Sequence, residues 1–587
     1  MAKNSRVFRG LNAQQKEAVV SISGPSIILA GAGSGKTRVL VHKVQNLIKN
    51  RHVSPSAIIM ITFTNKAASE MKERIGQEKL GYIGTFHSLC ARILRIHGEK
   101  IGVPGHYTIY DEADQLALIK KLVGQAAKVQ STPSYILYRI STAKNELITA
   151  QKFDEIFADR FSKEIAKIYK LYQKELRKNS ALDFDDLLSL TIELFSTFPD
   201  VLRRYQERYK YILVDEFQDT NHAQYVFTKM LGARYNNATV VGDFSQSIYS
   251  WRGADIGNLE KFRKDFPKTK LFYLEKNYRS SQNILNFAYR VIAQNKTHPI
   301  LQLTSENMLG EQVVFFEAET EEQEGLFVVE EIERLKNHFP YKMFAVLYRT
   351  NAQSRIIEEA FLHYGIPYVL VGGTRFYERK EIKDVLAYMR LIVNPADQVA
   401  KDRVIKLGKK RWERFQPFYE KMKNSYATLS TEEIMEKIFE STQYLNLYNP
   451  SDPEDFARLE NIKELKSVAV SFSNLIEFLE QIALVESEYF EGEKKARGHH
   501  GVKLMTLHQA KGLEFDCVFI VGVEEGLLPH SRSLDDYLQL EEERRLFYVG
   551  ITRARKYLYI TYTKRRFMFG RRNYAMKSRF LLESGEG

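Results

Sequence analysis

Two short stretches carry residue types whose spacing suits phosphate chemistry. The first is Ala30-Gly31-Ala32-Gly33-Ser34-Gly35-Lys36-Thr37. Its glycines let the backbone fold around phosphate oxygens, so that successive amide N–H groups and the positive end of a following helix face the anion. Lys36 then reaches the β- and γ-phosphates, and the Thr37 hydroxyl holds Mg2+. One position departs from the usual G-x-x-x-x-G-K-[ST] form, since Ala30 stands where the first glycine belongs. The second stretch is Asp215-Glu216-Phe217-Gln218-Asp219-Thr220. Adjacent carboxylates suit two jobs there: Asp215 binds Mg2+ through its water shell, and Glu216 orients and deprotonates an attacking water. Each stretch also has a bland reading, as a flexible turn ending in Gly-Lys-Thr and as a solvated acidic turn, and the flanking elements decide between them.

Those elements favour the nucleotide. Ser26-Ile27-Ile28-Leu29 is short, apolar and β-branched, as a buried strand should be, and Arg38-Val39-Leu40-Val41 opens a helical pattern. Tyr211-Ile212-Leu213-Val214 is a second such strand, ending on the carboxylate pair. Further strands are expected at Ala57-Ile58-Ile59-Met60-Ile61-Thr62-Phe63, at Tyr82-Ile83-Gly84-Thr85-Phe86, at Thr239-Val240-Val241-Gly242-Asp243 and at Leu271-Phe272-Tyr273-Leu274. Strands alternating with helices imply a parallel sheet that binds ligands at the carboxyl ends of its strands. Between about residues 100 and 180 the pattern is helical, with Asp111 as N-cap of the segment beginning Asp114-Gln115-Leu116.

The arrangement then repeats. Phe344-Ala345-Val346-Leu347-Tyr348 and Tyr368-Val369-Leu370-Val371 precede a second helical stretch, from about 386 to 494, in which Ser430-Thr431-Glu432-Glu433 fits a capping box. Strands return at Val502-Lys503-Leu504-Met505, Cys517-Val518-Phe519-Ile520-Val521 and Tyr557-Leu558-Tyr559-Ile560. The fold class is α/β, with two lobes on parallel sheets, each interrupted by a helical insertion.

Bulk properties agree. At 587 residues the chain exceeds what one hydrophobic core supports. A net charge of +13 points to a polyanionic partner, and 33 Tyr and 36 Phe supply planar faces on which unpaired bases could stack. Cys90 and Cys517 both sit in apolar surroundings and read as small core residues of a protein in a reducing compartment, with no disulfide frame. The first residues are followed by no apolar signal core, and no run approaches the roughly 20 apolar residues that span a bilayer. A soluble, cytoplasmic protein without a membrane partner is expected.

The residues also resemble one family, the UvrD/Rep/PcrA-type superfamily 1 DNA helicases. Besides the two nucleotide stretches, the matching segments are Leu11-Asn12-Ala13-Gln14-Gln15, Ile61-Thr62-Phe63-Thr64-Asn65-Lys66-Ala67-Ala68, Gly84-Thr85-Phe86-His87-Ser88 and Leu182-Asp183-Phe184-Asp185-Asp186. They continue with Val241 through Asp255, Asn277-Tyr278-Arg279-Ser280, Met505 through Phe515 and Tyr548 through Ala554, in the family's order over nearly the whole chain. The resemblance implies two RecA-like P-loop NTPase lobes, formed by residues 1–99 with 181–275 and by 276–385 with 495–587. The insertions are 100–180 and a shortened 386–494, with ATP in the cleft between the lobes and single-stranded DNA across the top. It places Gln15 on the adenine edge and Tyr278 on the adenine face. Gly31, Ala32, Gly33, Ser34, Gly35, Lys36, Thr37 and Arg38 surround the phosphates, and Glu514 lies near the ribose and phosphates. Gln246 senses the γ-phosphate, while Arg279 and Arg553 approach it from the second lobe as arginine fingers. Phe63, Tyr249 and Trp251 are the aromatics chosen for the DNA track, with Asn65, Arg252, Asn351 and His508 on phosphate or sugar. Phe184 is core or base contact; His87 is a DNA contact or a buried structural histidine. The implied cofactors are ATP and Mg2+, and the implied partners are single-stranded DNA and single-strand/duplex junctions, bound by a chain that is a monomer in solution. The family's polarity is 3′ to 5′, which nothing in the residues gives.

One region departs from the family. After Asn394-Pro395-Ala396-Asp397 the family carries a Pro-x-Arg-Gly-Ile-Gly hairpin that grips duplex DNA, whereas this chain reads Val404-Ile405-Lys406-Leu407-Gly408-Lys409-Lys410-Arg411-Trp412-Glu413. A weaker duplex grip is expected, with Lys409, Lys410 and Arg411 compensating electrostatically. A chain that stops soon after Ser578-Arg579-Phe580-Leu581 is expected to lack tail-dependent partner docking and a nuclease domain. Two alternatives keep the same residues: a translocase that strips proteins from single-stranded DNA without efficient unwinding, and an ATP-gated DNA-binding switch.

Overall fold

The computed structural model describes residues 6–76, 78–125, 129, 131–157, 161–495, 500–568 and 571–586. Residues 1–5 and 587, on which the expectations about the termini bear, lie outside that set. The chain forms two compact units. One comprises residues 1–279 with 296–306, the other 280–295 with 307–587.

The first unit is built on a six-stranded parallel sheet of β1 (Ser26–Ala30), β2 (Ile58–Thr62), β3 (Tyr82–Thr85), β4 (Tyr211–Val214), β5 (Ala238–Gly242) and β6 (Lys270–Leu274), in the order β3-β2-β4-β5-β1-β6. Successive side chains point to opposite faces. Ile27, Leu29, Ile59, Ile61, Ile212 and Val214 therefore join one core with helices Phe86–His97, Phe184–Thr197 and His222–Gly232, while Ile28, Ala30, Ile58, Met60 and Leu213 join another with helices Ala13–Val20 and Lys36–Lys49. Burial on both faces is why these strands read as continuous apolar runs. Phe63 and Phe86, expected at strand ends, lie one residue beyond them, and Phe86 begins a helix capped by Thr85.

Residues of the helical segment have their own core, in which Ile119, Ile136, Ile140, Phe153, Ile165 and Tyr172 meet. Asp111 caps its first helix as expected, accepting from the Asp114 N–H at 2.9 Å. The expected lobe boundary at residue 276 differs from the contacts. Lys276–Asn277 pairs with Thr304–Ser305, the Asn277 amide donates to the Ala32 carbonyl at 2.6 Å, and the Tyr278 N–H donates to the Gly33 carbonyl at 3.0 Å. Those bonds keep Lys276 through Arg279 with the first unit.

The second unit holds another parallel sheet, of β7 (Val314–Ala318), β8 (Phe344–Tyr348), β9 (Tyr368–Leu370), β10 (Val502–Thr506), β11 (Phe515–Ile520) and β12 (Ala554–Thr563), ordered β7-β12-β11-β8-β10-β9. Its helical segment packs Tyr388, Phe415, Ile438, Tyr444, Leu465 and Phe478 into a separate core. In the segment that departs from the family's pattern, helix Gln398–Lys406 runs through Gly408, at φ 124°, into helix Lys409–Met422. Cys90 and Cys517 are buried. No single helix among the described residues is long and apolar enough to cross a membrane.

One buried charge ties the phosphate-loop helix to its neighbour. Lys43, 2% exposed, donates to the carbonyls of Ala18, at 3.0 Å, and Ser21 at the end of helix Ala13–Val20. Burial, with Lys270 nearby, pulls its ammonium down to about 7. An unfolded lysine titrates near 10.4, so between those values the unfolded chain binds more protons and stability rises with pH, by up to about 1.4 kcal/mol per unit. Thermal midpoints followed by calorimetry from pH 7 to 9 are expected to rise, and to rise less in Lys43→Met.

Candidate functional site

The C-terminal ends of β4, β5 and β1 stand side by side and carry the nucleotide residues. From β1 the chain turns through Gly33 (φ 65°) and Gly35 (φ 85°), conformations that cost a residue with a Cβ. A Cβ on Gly33 would also lie 2.8 Å from both Asn277 Nδ2 and Arg279 Cβ. Ser34 fixes the turn by donating its hydroxyl to the Gly31 carbonyl at 2.7 Å. Helix Lys36–Lys49 starts on Gly35 with no side-chain cap. Its first N–H groups are thus the unshared donors that a phosphate takes up. Ala30 is the last residue of strand β1, in extended backbone that any residue adopts, so this position does not require the motif's glycine.

Lys36 Nζ lies 3.1 Å from Glu216 Oε2. Burial would lower its pKa, but the carboxylates of Glu216, Asp243 and Asp215 outweigh that and hold it above its ordinary value. Asp215, 4% exposed at the end of β4, is pushed up to about 7 by burial and then by Glu216, against the pull of Lys36. Glu216 sits at φ 50°, a left-handed conformation that aims its side chain back toward Lys36. Such strain persists where surrounding structure imposes it.

Two polar residues without an assigned role wire this pair to β5. Gln218 is fully buried, donates from Nε2 to Glu216 Oε2 at 2.7 Å, and accepts the Asp243 N–H on Oε1 at 3.1 Å. Asp243, raised by burial, accepts Gln246 Nε2 at 2.7 Å. Gln246 is therefore three hydrogen bonds from Glu216, through the Gln218 side chain and the backbone and carboxylate of Asp243. The available signal was Asp243 itself, a carboxylate ending an apolar strand as Asp215 does.

Gln15 and Tyr278 both lie against the phosphate loop. Gln15 is fully buried, donates to the Ser34 carbonyl at 2.9 Å and accepts the Asn12 N–H at 3.1 Å in a capping box. Its carboxamide thus braces the loop in this conformation. Tyr278 is 39% exposed, and its hydroxyl accepts Asn12 Nδ2 at 2.8 Å. Arg279 was expected to come from the second lobe; it stays beside Gly33, its N–H held by Asn277 Oδ1 at 2.8 Å. Thr37 is half-buried and Arg38 exposed in the first helical turn.

The aromatic candidates of the first unit lie along the same sheet edge. Phe63 follows β2, His87 follows β3, and the segment after β5 turns through Tyr249, Trp251 and Arg252. Phe63 is 36% exposed, Trp251 41% and Phe184 48%. A core role for Phe184 is thereby set aside, since a ring half in water contributes little to packing. His87 is half-buried, stands edge-on to Phe184 at 5.9 Å, and its pKa is lowered by burial. Tyr249 and Trp251 are edge-on at 6.4 Å, with the Arg252 guanidinium 4.5 Å over the indole. Asn65 is exposed at the start of its helix. Strands spaced about 4.8 Å apart put β3, which His87 follows, roughly 20 Å from β1, whereas the Tyr249–Arg252 turn follows β5, the neighbour of β1.

In the second unit, Asn351 follows β8 and His508 follows the adjacent β10, both half-buried. Arg553 is 1% exposed; its guanidinium donates to the carbonyls of Val549 at 2.8 Å and Leu513 at 3.2 Å and to the Thr552 hydroxyl at 3.0 Å. Glu514 is exposed, 3.8 Å from Arg555.

A glycine turn between a buried strand and an uncapped helix, with a carboxylate pair two strands away in a parallel sheet, defines a P-loop NTPase fold. The chain belongs to the UvrD/REP helicase family: residues 11–267 match the model of the UvrD/REP helicase N-terminal domain, and residues 272–416 and 406–565 match that of the UvrD-like helicase C-terminal domain. It is 42% identical over 638 aligned positions to the ATP-dependent DNA helicase PcrA of Bacillus subtilis (strain 168), covering 99% of this chain and 86% of that protein. The PcrA helicases of Leuconostoc citreum (98% and 84% covered) and Staphylococcus aureus strain Mu50 (98% and 86%) are each 41% identical. The C-terminal model matches in two pieces that overlap at 406–416.

Proposed function

We propose that the chain is an ATP-driven helicase that moves 3′ to 5′ along single-stranded DNA and separates duplex ahead of it. The observation that carries this reading is the placement of the phosphate loop and the exposed aromatic row on one sheet edge, joined by the buried Gln218–Asp243–Gln246 chain. Mg2+ and ATP fit the residues present: Gly31 through Arg38 offer backbone donors, Lys36 a cation, and Thr37 with Asp215 hard oxygen ligands. Thr37 and Asp215 would hold Mg2+, which would supply charge neutralisation at the phosphates of bound ATP. Glu216 orients and deprotonates the attacking water, and Gln246 reports the γ-phosphate to the Tyr249–Arg252 turn. Arg279 and the second unit's Arg553 meet the charge developing on that phosphate. Gln15 and Tyr278 hold the adenine, and Glu514 lies near the ribose. Phe63, Phe184, Tyr249 and Trp251 stack on bases, an interaction worth about 1–3 kcal/mol per base whatever the sequence. Asn65, His87, Arg252, Asn351 and His508 take phosphate or sugar, and the active chain is a monomer.

Strand displacement from duplexes bearing a 3′ or a 5′ single-stranded tail tests the polarity. Release from the 3′-tailed duplex alone is expected; equal release from both, or release from the 5′ tail, contradicts it. The two helices joined at Gly408 favour a second reading, of a translocase that strips proteins and grips duplex weakly. Accordingly, ATPase stimulation by a tailed duplex is expected to stay within about twofold of that by the single strand alone, too small a difference to mark a strong junction contact. A strong junction preference counts against a weakened grip.

A further inference from the structure

Two adjacent residues of the first unit's helical segment touch three elements with different jobs. Helix Pro133–Asn145 ends on Lys144 and Asn145. Lys144, 2% exposed, places Nζ 2.5 Å from Asp183 Oδ2 and 2.7 Å from Asp186 Oδ1. Tyr172 donates to Asp183 Oδ2 at 3.0 Å, and Gln173 to Asp186 Oδ1 at 3.1 Å. Asp183 and Asp186 form the capping box of helix Phe184–Thr197, so this buried cluster fixes the helix start from which the exposed Phe184 projects.

Asn145 faces the hydrolysis side. Its Oδ1 accepts Asn221 Nδ2 at 2.6 Å. Asn221 caps helix His222–Gly232 and follows directly on the Asp215–Thr220 stretch. Gly253, which closes the Trp251–Arg252 turn at φ +85°, lies against both: a Cβ there would stand 3.6 Å from Asn221 Cβ and 3.7 Å from Asn145 Cβ. Asn258 donates to the Thr220 carbonyl at 2.8 Å and the Asp255 N–H to the same oxygen at 3.0 Å, tying the end of that turn to the carboxylate loop.

We infer that Lys144 and Asn145 are positioning residues through which a strand held at Phe184 and Trp251 sets the geometry of the Asp215–Glu216 loop and so accelerates hydrolysis. The inference rests on the helicase reading. A buried cation bracketed by two carboxylates cannot part from them without stranding charge, so a displacement of the Phe184 helix carries Lys144 with it. The helix that ends at Asn145 transmits that displacement to Asn221, one residue beyond the carboxylate loop.

The test uses the full chain and a thymidine oligonucleotide. ATPase kcat is measured without DNA and at saturating oligonucleotide, alongside oligonucleotide Kd by anisotropy and the thermal midpoint. Asn145→Ala is expected to lower the stimulated kcat by about 5–10-fold, a usual size for coupling between sites, with DNA-free kcat and Kd within about twofold of wild type. Asn145→Asp keeps the acceptor and is expected to restore most of the stimulation. Asn221→Ser keeps a capping oxygen, loses the amide donor, and should match Asn145→Ala, the double variant being no worse than either single one. A stimulated rate within about twofold of wild type in Asn145→Ala, a parallel fall of both rates, or additive losses in the double variant overturns the inference. A wild-type chain that the oligonucleotide does not stimulate overturns the helicase reading and this inference with it. A stimulated wild type beside an unaffected variant overturns this inference alone.

Discussion

Glu216→Gln is expected to lower kcat for ATP hydrolysis by about 10²–10⁴-fold, the usual worth of a positioned general base, while ATP still binds. The substitution keeps the size of the side chain and an oxygen to accept Gln218 Nε2, so the left-handed turn at residue 216 has no new reason to relax. It removes basicity, and one of three carboxylates around Lys36. Asp215 and Asp243 remain to hold that ammonium charged. Nucleotide affinity should therefore stay within a few fold or rise, since a phosphate no longer competes with Glu216 for Lys36. Steady-state kcat and a fluorescent-nucleotide titration separate the two effects. A variant that turns over at the wild-type rate removes Glu216 from the chemistry.

Arg279→Ala is expected to cost about 10³-fold in DNA-stimulated kcat, the low end for a cation meeting transition-state charge in related NTPases. Its backbone is held by Asn277 Oδ1, and Asn277 also holds the Ala32 carbonyl, so truncating the side chain leaves the phosphate loop braced. Arg279→Lys should recover only part of the loss, because an ammonium cannot present the guanidinium fork to two phosphate oxygens. The thermal midpoint should move little, as the side chain is half-buried. Equal losses in kcat and thermal stability point instead to a structural arginine.

The shape of the phosphate loop and its flanking strands was legible in the residues, for local reasons. Gly33 and Gly35 sit at positive φ where the loop requires it, and the flanking apolar runs became buried strands. Capping signals also held at Asp111 and at Ser430 with Glu433, because a cap is settled within three residues. What stayed hidden depends on strand order. Gln218 meets the Asp243 N–H only because β4 and β5 are neighbours, and Asn277 reaches Ala32 only because β6 lies beside β1. Residue spacing carries no record of that adjacency. The same limit bears on the boundary expected before residue 276: hydrogen bonds to the phosphate loop keep Asn277 through Arg279 with the first unit. Around residue 408 the loss of glycines was plain, whereas the two helices that replace the hairpin follow from Asp397 capping one and Gly408 separating it from the next.

The proposed motor requires that an unpaired strand drive hydrolysis. Steady-state ATPase of the full chain, with and without a saturating thymidine oligonucleotide, measures this directly. The predicted result is a rise in kcat of at least about tenfold that vanishes in Lys36→Ala, as expected when strand binding and the phosphate loop share one sheet edge. An ATPase rate that single-stranded DNA leaves unchanged, at concentrations where binding is saturated, contradicts it.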